Sequence, residues 1–360
     1  MKQLITILLF SIAFVSCKKD HEAQPITNNP SDTVVYVSGT VIQPVGGQGT
    51  PCIWRNGVRT DLPIPPGAYG GAATIAQLGK DIYVVGTLYI NGVLKPVYWK
   101  NGVMVGLTPA NGYGEGNATG VFVSGTDVYI GGTSKSGSSY LPTVWKNDVP
   151  TAYTAILEPN KYNLVSAIAV DKNDVYLTGY SQLGTKRVPV IWKNGGLMEQ
   201  PSSAIGTWGI PNTIAISGSS VYVAGVATDK NDQYWTGMLW KDNLEGVVIS
   251  NPMANESKIE GNMVVNKGSV YLAGYYVKQG KPDQACYWKD GVMNVLATES
   301  ANRQNRASSI KVANNSVYLS GFIVATNGSR EPFYWKDGSI TSLPTINNLG
   351  GYPYDILIGQ

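Results

Sequence analysis

The sequence predicts an all-β protein, a seven-bladed β-propeller with four-stranded blades. Three observations predict this fold. A Tyr-x-x-Gly unit recurs at one fixed position in seven successive repeats, a tryptophan follows each of these copies, and consecutive tryptophans lie 45 to 48 residues apart. Four short strands in each such period, joined by hairpin turns, are typical of propeller blades.

The seven copies share a tyrosine, a glycine and a tryptophan that is followed by a basic residue. The tyrosines are Tyr36, Tyr83, Tyr129, Tyr176, Tyr222, Tyr271 and Tyr318. The tryptophans are Trp54, Trp99, Trp145, Trp192, Trp240, Trp288 and Trp335. In five copies Asn-Gly or Asp-Gly comes next. Because these dipeptides tolerate positive φ at both turn positions, they predict two-residue hairpins.

The last complete repeat shows the expected strand order. Strands a, b, c and d are predicted at residues 309–313, 316–322, 331–336 and 339–343. Strand c is apolar on both faces, as at Val97, Tyr98 and Trp99. A strand with one wet face would alternate apolar and polar residues, so each blade should pack between two neighbours. The recurrent glycine of strand b indicates a bulge or a close backbone approach between blades.

The first repeat lacks its strand a. Every later tyrosine has an aliphatic residue or methionine eight positions before it, whereas Tyr36 has Asn28 there. A matching apolar segment, 354–358, stands near the other end of the chain. We expect it to pair with residues 34–40, which completes the first blade and closes the ring. Such closure removes the exposed edge of an open array.

The N-terminal segment carries a targeting pattern. Leu4 to Val15 is a mainly apolar stretch of twelve residues, shorter than the roughly 17–25 residues of a membrane span. Ser16 before Cys17 resembles the lipobox of bacterial lipoproteins, which implies that Cys17 carries lipid. We expect a lipoprotein signal peptide at 1–16, a flexible tether at 17–32 and the propeller at 33–360. An ordinary signal peptide with an incidental cysteine is the alternative.

The residues after the cysteine help to predict the cellular location of the protein. Lys18 resembles signals that allow sorting to the outer membrane, and the mixed charges that follow it resemble surface-export signals. The predicted location is therefore the outer membrane, attached by lipid alone and facing the periplasm or the cell surface.

The repeat itself resembles known propeller repeats. The Trp-basic-Asn/Asp-Gly ending, with glycine after an apolar strand, resembles extracellular HAF-type repeats and, more loosely, kelch propellers over residues 33–358. The resemblance implies a propeller and an extracytoplasmic setting. It implies no reaction.

Composition restricts the chemistry. A net charge of +3 with 14% charged residues is too weakly basic to indicate a nucleic-acid partner. The single histidine, His21, lies outside the repeats, so the body lacks the usual base for a nucleophile. Cys52 and Cys286 fall in blades too far apart for a disulfide. We expect no cofactor and no metal site, because the Asp-Lys-Asn-Asp runs at 171–174 and 229–232 are typical of hairpin turns.

Residues that break the seven-fold pattern are the better site candidates, since the repeated aromatics are expected to form the core. They fall in the d–a connections and b–c turns, which share one rim. The predicted ligand-binding residues are Trp208, Tyr113, Glu115, Tyr162, Arg303, Arg306 and Tyr352. Other rim candidates are Tyr69, Trp235, Glu256 and Tyr354.

Aromatic side chains mixed with charged ones suit recognition of a glycan or a protein. We therefore interpret the chain as a monomeric binding module of the cell envelope. A polysaccharide lyase or hydrolase is the first alternative, because Glu115 and Glu256 could form a carboxylate pair. A structural scaffold subunit of an envelope complex is the second.

Overall fold

The computed structural model describes residues 33–44, 46–112, 114–159, 161–198, 208–228, 235–242, 246–249, 256–296 and 302–359. The chain divides into two units, Met1–Asp32 and Thr33–Gln360. The signal peptide, the tether and Cys17 therefore lie outside the described residues and stay predictions. Within the described part, no helix is both long and apolar enough to cross a membrane.

The second unit is an all-β ring of seven antiparallel blades, which confirms the predicted propeller. Blade 1 contains β29 (Gly351–Gly359), β1 (Val34–Ile42), β2 (Gly49–Arg55) and β3 (Val58–Asp61). Blade 2 contains β4 (Tyr69–Leu78), β5 (Asp81–Ile90), β6 (Val93–Lys100) and β7 (Val103–Gly106). Blade 3 contains β8 (Gly116–Ser124), β9 (Asp127–Ser136), β10 (Ser139–Lys146) and β11 (Val149–Ala152), and a short 3-10 turn, Ala110–Gly112, precedes it.

The remaining four blades follow the same order. Blade 4 contains β12 (Asn163–Asp171), β13 (Asp174–Leu183), β14 (Lys186–Lys193) and β15 (Gly196–Leu197). Blade 5 contains β16 (Gly209–Ser217), β17 (Ser220–Thr228), β18 (Trp235–Lys241) and β19 (Val247–Ile249). Blade 6 contains β20 (Glu256–Lys258), β21 (Met263–Asn266), β22 (Ser269–Val277), β23 (Gln284–Lys289) and β24 (Val292–Val295). Blade 7 contains β25 (Asn305–Ala313), β26 (Ser316–Val324), β27 (Arg330–Lys336) and β28 (Ser339–Ser342).

Ring closure occurs as predicted. The C-terminal strand β29 pairs antiparallel with β1, so that Ile356 lies opposite Val37 and both side chains are fully buried. The observed strand begins at Gly351, three residues before the predicted segment, because the pairing continues past a bulge to Val41.

Strand c is buried on both faces. Val97 and Trp99 pack in the core between blades 1 and 2, whereas Tyr98 packs in the core between blades 2 and 3. These side chains are 1%, 0% and 8% exposed. The doubly apolar pattern of the sequence thus reflects a blade held between two neighbours, as predicted.

The glycine of each repeat Tyr-x-x-Gly unit is required by the shape of strand a in its own blade, which has a bulge in six blades and a break in blade 6. A Cβ at Gly39, Gly86, Gly132, Gly179, Gly225, Gly274 or Gly321 would lie 1.9–2.3 Å from a strand-a carbonyl oxygen. Real Cβ atoms do not approach so closely, so any side chain would push the two strands apart. Of the two explanations that the sequence left open, the structure shows a bulge within the blade in six of the seven blades.

The residues after the tryptophan also have a repeated role. In all seven blades the basic residue lies over the ring of the repeat tyrosine, at 5.1–5.9 Å. The Asn or Asp that follows has positive φ. Its Oδ1 accepts a hydrogen bond of 2.8–2.9 Å from the second backbone N–H of strand b. The Trp-basic-Asn/Asp motif therefore fastens the b–c–d corner of each blade.

A second set of contacts joins neighbouring blades around the central channel, whose volume is about 480 Å³. One strand-a position, which we call the inter-blade ring, is occupied in turn by Thr74, Gly120, Ala167, Thr213, Asn262, Ser309 and Asp355. In five of these blades the side-chain oxygen accepts a hydrogen bond of 2.8–3.2 Å from a backbone N–H of the next blade. Gly120 and Ala167 have no side-chain oxygen to offer.

Asp355 is the most connected member of the inter-blade ring. Its side chain is 4% exposed, and Oδ2 accepts a hydrogen bond from the N–H of Ile75 in blade 2 at 3.1 Å. Oδ1 accepts from Asn262 Nδ2 at 2.7 Å and from Ser309 Oγ at 2.8 Å. It also accepts from the N–H of Ile356 at 2.9 Å. One carboxylate therefore ties blades 1, 2, 6 and 7 where the chain closes.

Candidate ligand-binding site

Three cavities lined by described residues lie on one rim of the ring. This rim, which we call the d–a rim, is built from the d–a connections, the b–c connections and the strand ends next to them. The blade 4/5 cavity has a volume of about 330 Å³. The blade 5/6 cavity measures about 440 Å³, and the blade 7/1 cavity about 340 Å³.

The blade 4/5 cavity unites two predicted site residues, Tyr162 and Trp208. Tyr162 is 51% exposed and stacks on Tyr140 at 5.1 Å between ring centroids. The backbone of Trp208 is held by Thr228, whose N–H donates to the Trp208 carbonyl at 2.9 Å. The Arg187 guanidinium lies 4.9 Å from the Tyr180 ring in the same cavity. Both aromatic and cationic surfaces thus face this space.

The blade 5/6 cavity depends on an irregular strand. In blade 6, strand a is broken into β20 and β21, and residues 259–262 stand between the two pieces. Glu260 lies in this break and lines the cavity together with Trp235 and Tyr275. The Tyr275 hydroxyl donates to Glu260 Oε1 at 3.1 Å, and its pKa is raised by burial and then by the Glu260 charge. Glu260 also lines the blade 7/1 cavity, so the two cavities share a wall.

The blade 7/1 cavity contains two predicted site residues, Arg306 and Tyr352. Arg306 bridges two carboxylates, with Asp283 at 2.7 Å and Glu260 at 3.2 Å. Its guanidinium lies 4.1 Å from the centroid of the Tyr275 ring. Arg306 is therefore a positioning residue that holds Glu260 at the cavity, and its own charge is paired with two carboxylates.

Arg330, which sequence reasoning missed, is the other cation of this cavity. Its guanidinium lies 4.3 Å from the Tyr352 ring and 4.8 Å from the Phe322 ring. Tyr352 in turn stacks on Tyr354 at 6.3 Å, and Tyr354 is 47% exposed. The sequence signal that could have identified it is Arg330 itself, which begins strand c of blade 7, together with Phe322, which the same blade places on the rim.

Two other predicted site residues have structural partners outside these cavities. Glu115 binds Lys135 at 2.7 Å and accepts a hydrogen bond from Tyr140 at 3.2 Å, and Lys135 lowers the pKa of Glu115. Arg303 binds Glu331 at 2.5 Å and donates from Nε to a backbone carbonyl at 2.9 Å. Tyr113 lies outside the described residues.

The structure does not bring the proposed carboxylate pair together. Glu115 belongs to the start of blade 3, Glu256 to blade 6, and two blades separate them. Each is paired with its own lysine, since Glu256 binds Lys258 at 2.9 Å. In the part of the chain that the structure describes, no group of three or more His, Cys, Asp or Glu residues could hold a metal ion. Cys52 and Cys286 are buried free thiols.

No family model and no curated protein matches the sequence. Among solved structures, the fold is similar to a puromycin-hydrolyzing peptidase of Mycobacterium tuberculosis, with 11% identity and a TM-score of 0.57. That match covers 88% of this chain and 52% of the peptidase. A trans-sialidase-active mutant of Trypanosoma rangeli sialidase matches at 10% identity and a TM-score of 0.47, over 87% of this chain and 57% of the sialidase.

The same sialidase in complex with 2,3-difluorosialic acid matches at 10% identity and a TM-score of 0.47, over 82% of this chain and 57% of that one. The chain thus spans little more than half the length of these structures. At such low identity the likeness to the peptidase shows the propeller fold alone.

Proposed function

We propose that this chain is a cell-envelope binding protein that holds a glycan across the d–a rim. One observation carries the proposal. Cavities with aromatic and charged walls lie side by side on this rim, and their walls come from positions that vary between blades. The aromatic residues that line them are Tyr162, Tyr180, Trp208, Trp235, Tyr275, Phe322, Tyr352 and Tyr354.

The shape of the rim favours a glycan over a protein. A stable protein interface needs roughly 800 Å² on each partner with a closely packed apolar centre. The d–a rim instead presents separate cavities of about 330–440 Å³, each within the size of small-ligand sites. Aromatic rings offer flat apolar faces with a polar edge, and the neighbouring carboxylate, amide and guanidinium groups can bond to sugar hydroxyls.

The envelope location rests on the predicted lipid at Cys17. Acyl chains add roughly 0.8 kcal/mol of membrane affinity for each buried CH₂, so two or more chains would hold the protein stably at a membrane. Cys17→Ala should release the protein from the membrane fraction or block its maturation. A variant that fractionates with membranes as before would contradict the lipid anchor.

The binding proposal is tested on a glycan array with the full-length protein in detergent. Trp208→Ala and Tyr354→Ala should each lose binding to the glycans that the wild type retains, because truncation of an anchoring aromatic costs roughly 2 kcal/mol or more. Tyr89→Ala is the matched control. Tyr89 is a rim tyrosine that is 41% exposed, but it stacks on Tyr69 in blade 2, outside the three cavities.

Binding that survives both cavity substitutions, or that is lost equally with the Tyr89 control, would contradict the assignment to these cavities. An array on which no glycan is retained would contradict the proposed function itself.

A further inference from the structure

The charges around the blade 7/1 cavity are almost fully paired. The charged side chains there are Arg303, Arg306, Arg330, Glu260, Asp283 and Glu331. Arg306 pairs with both Asp283 and Glu260, and Arg303 pairs with Glu331. Among the described residues Arg330 has no carboxylate within ion-pair distance. Within the described part of the chain, the cavity therefore keeps one positive charge without a carboxylate counter-ion.

Arg330 is held in a way that leaves its donors available. The guanidinium contacts the rings of Phe322 and Tyr352 at 4.8 and 4.3 Å. Among the described residues, none of the five guanidinium N–H donors of Arg330 has a hydrogen-bond acceptor. The rings restrict the side chain without using those donors. A planar acceptor with two oxygens can bind two of them in parallel.

Glu260 restricts the charge of the ligand. Its carboxylate lines the same cavity as Arg330 and is held there by Arg306 and Tyr275. A fixed negative charge beside a single uncompensated positive charge disfavours a dianion such as a phosphate monoester. A group with one negative charge and hydroxyl neighbours fits better, since Glu260 can accept hydrogen bonds from hydroxyls.

The remaining wall supplies contacts for a sugar ring. Tyr354 is 47% exposed and stacks beside Tyr352, and Ser308 adds a hydroxyl to the wall. We propose that the blade 7/1 cavity binds the carboxylate of an acidic sugar residue through Arg330. This inference rests on the proposed glycan-binding function and specifies which class of glycan it takes.

The test compares Arg330→Gln with wild type on an array of carboxylated, sulfated, phosphorylated and neutral glycans, using the full-length protein in detergent. Wild type should retain carboxylated glycans. Reducing their carboxyl groups to alcohols should weaken binding at least tenfold. Arg330→Gln should weaken binding of the carboxylated glycans by a similar factor and leave binding of the reduced ones unchanged.

Arg187→Gln is the matched control, because Arg187 also lies over a tyrosine ring in a rim cavity. It should not change the preference for carboxylated over reduced glycans. Arg330→Lys keeps the charge but loses the planar pair of donors, so its affinity should fall between those of wild type and Arg330→Gln. The melting temperatures of all variants show that the fold is intact.

The outcomes separate the two proposals. Retention of neutral, sulfated or phosphorylated glycans in preference to carboxylated ones would overturn the carboxylate site and leave the glycan-binding function standing. Wild-type affinity of Arg330→Gln for carboxylated glycans would do the same. An array with no retained glycan would overturn both.

Discussion

Asp355 offers the most direct test of how the ring stays closed. Replacing it by alanine removes the acceptor of four hydrogen bonds, which come from the backbone N–H groups of Ile75 and Ile356 and the side chains of Asn262 and Ser309. Because Asp355 is only 4% exposed, the donors that lose its carboxylate gain little direct access to water. Asp355→Ala should therefore destabilise the ring strongly.

The magnitude follows from these partners. A buried donor left without its acceptor costs about 1–3 kcal/mol, and bonds to a charged group lie at the upper end. Three of the four donors lose their described acceptor, whereas the N–H of Ile356 keeps Ser309 Oγ at 3.2 Å. The costs of the three are coupled and do not add fully, so about 4–5 kcal/mol is expected. Asp355→Asn keeps one oxygen and replaces the other by an NH₂ group that meets a donor, so a smaller loss of about 1–3 kcal/mol is expected.

The assay is urea denaturation of wild type, Asp355→Ala, Asp355→Asn and Ser309→Ala, followed by tryptophan fluorescence. The midpoints should fall in the order wild type, Ser309→Ala or Asp355→Asn, and then Asp355→Ala, with the m-value unchanged. Ser309→Ala removes one member of the inter-blade ring and should cost about 1 kcal/mol. An Asp355→Ala midpoint equal to that of Ser309→Ala would refute the view that Asp355 is the principal tie.

Three further outcomes are expected. Ala167→Ser places a hydroxyl where other blades have a side-chain oxygen that accepts from a backbone N–H of the next blade, here the N–H of Ile214. The substitution should raise the free energy of unfolding by about 1 kcal/mol in urea denaturation, and a lower midpoint would count against the inter-blade ring. Truncation after Leu349 removes β29, and the expected loss in the free energy of unfolding, well above 4–5 kcal/mol, approaches the ~5–15 kcal/mol total of a typical protein. The truncated protein should therefore show no cooperative thermal transition, and an unchanged melting temperature would contradict the closure. Trp192→Ala should destabilise by about 3–5 kcal/mol because Trp192 is fully buried. Trp208 is only half-buried and lines the blade 4/5 cavity, so Trp208→Ala should cost about 1 kcal/mol; equal losses in melting would place Trp208 in the core.

The propeller was predictable because its determinants are local and repeated. The bulge glycine, the basic residue over the tyrosine and the positive-φ Asn or Asp each act within one blade, so they appear as a pattern at a fixed spacing. Closure was predictable for the same reason, since a strand missing from one end of a repeating pattern has to be supplied elsewhere.

The candidate site was predictable only in part, because it depends on contacts between blades. Arg303 and Arg306 look equivalent in the sequence, yet one is held by Glu331 and the other by Asp283 and Glu260. Glu260 lines two cavities because it lies in the break of strand a in blade 6, and the repeat pattern does not predict that break. Arg330 could be recognised as a site residue only from its contact with Tyr352, which belongs to the C-terminal strand β29.

The two positions of the inter-blade ring without a side-chain oxygen, Gly120 and Ala167, fall at the junctions of blades 3 to 4 and 4 to 5. At both junctions the peptide chain itself runs from one blade to the next, as it also does at the junctions that Thr74, Thr213 and Asn262 bridge. Blade 1, where the two ends of the ring meet without a covalent link between them, is where Asp355 gathers its four hydrogen bonds. Within the inter-blade ring, side-chain bonding is thus densest in the blade that joins the two ends of the ring. A circular permutant with new ends between β15 and β16 would instead place its ends where the ring position, Ala167, has no side-chain oxygen.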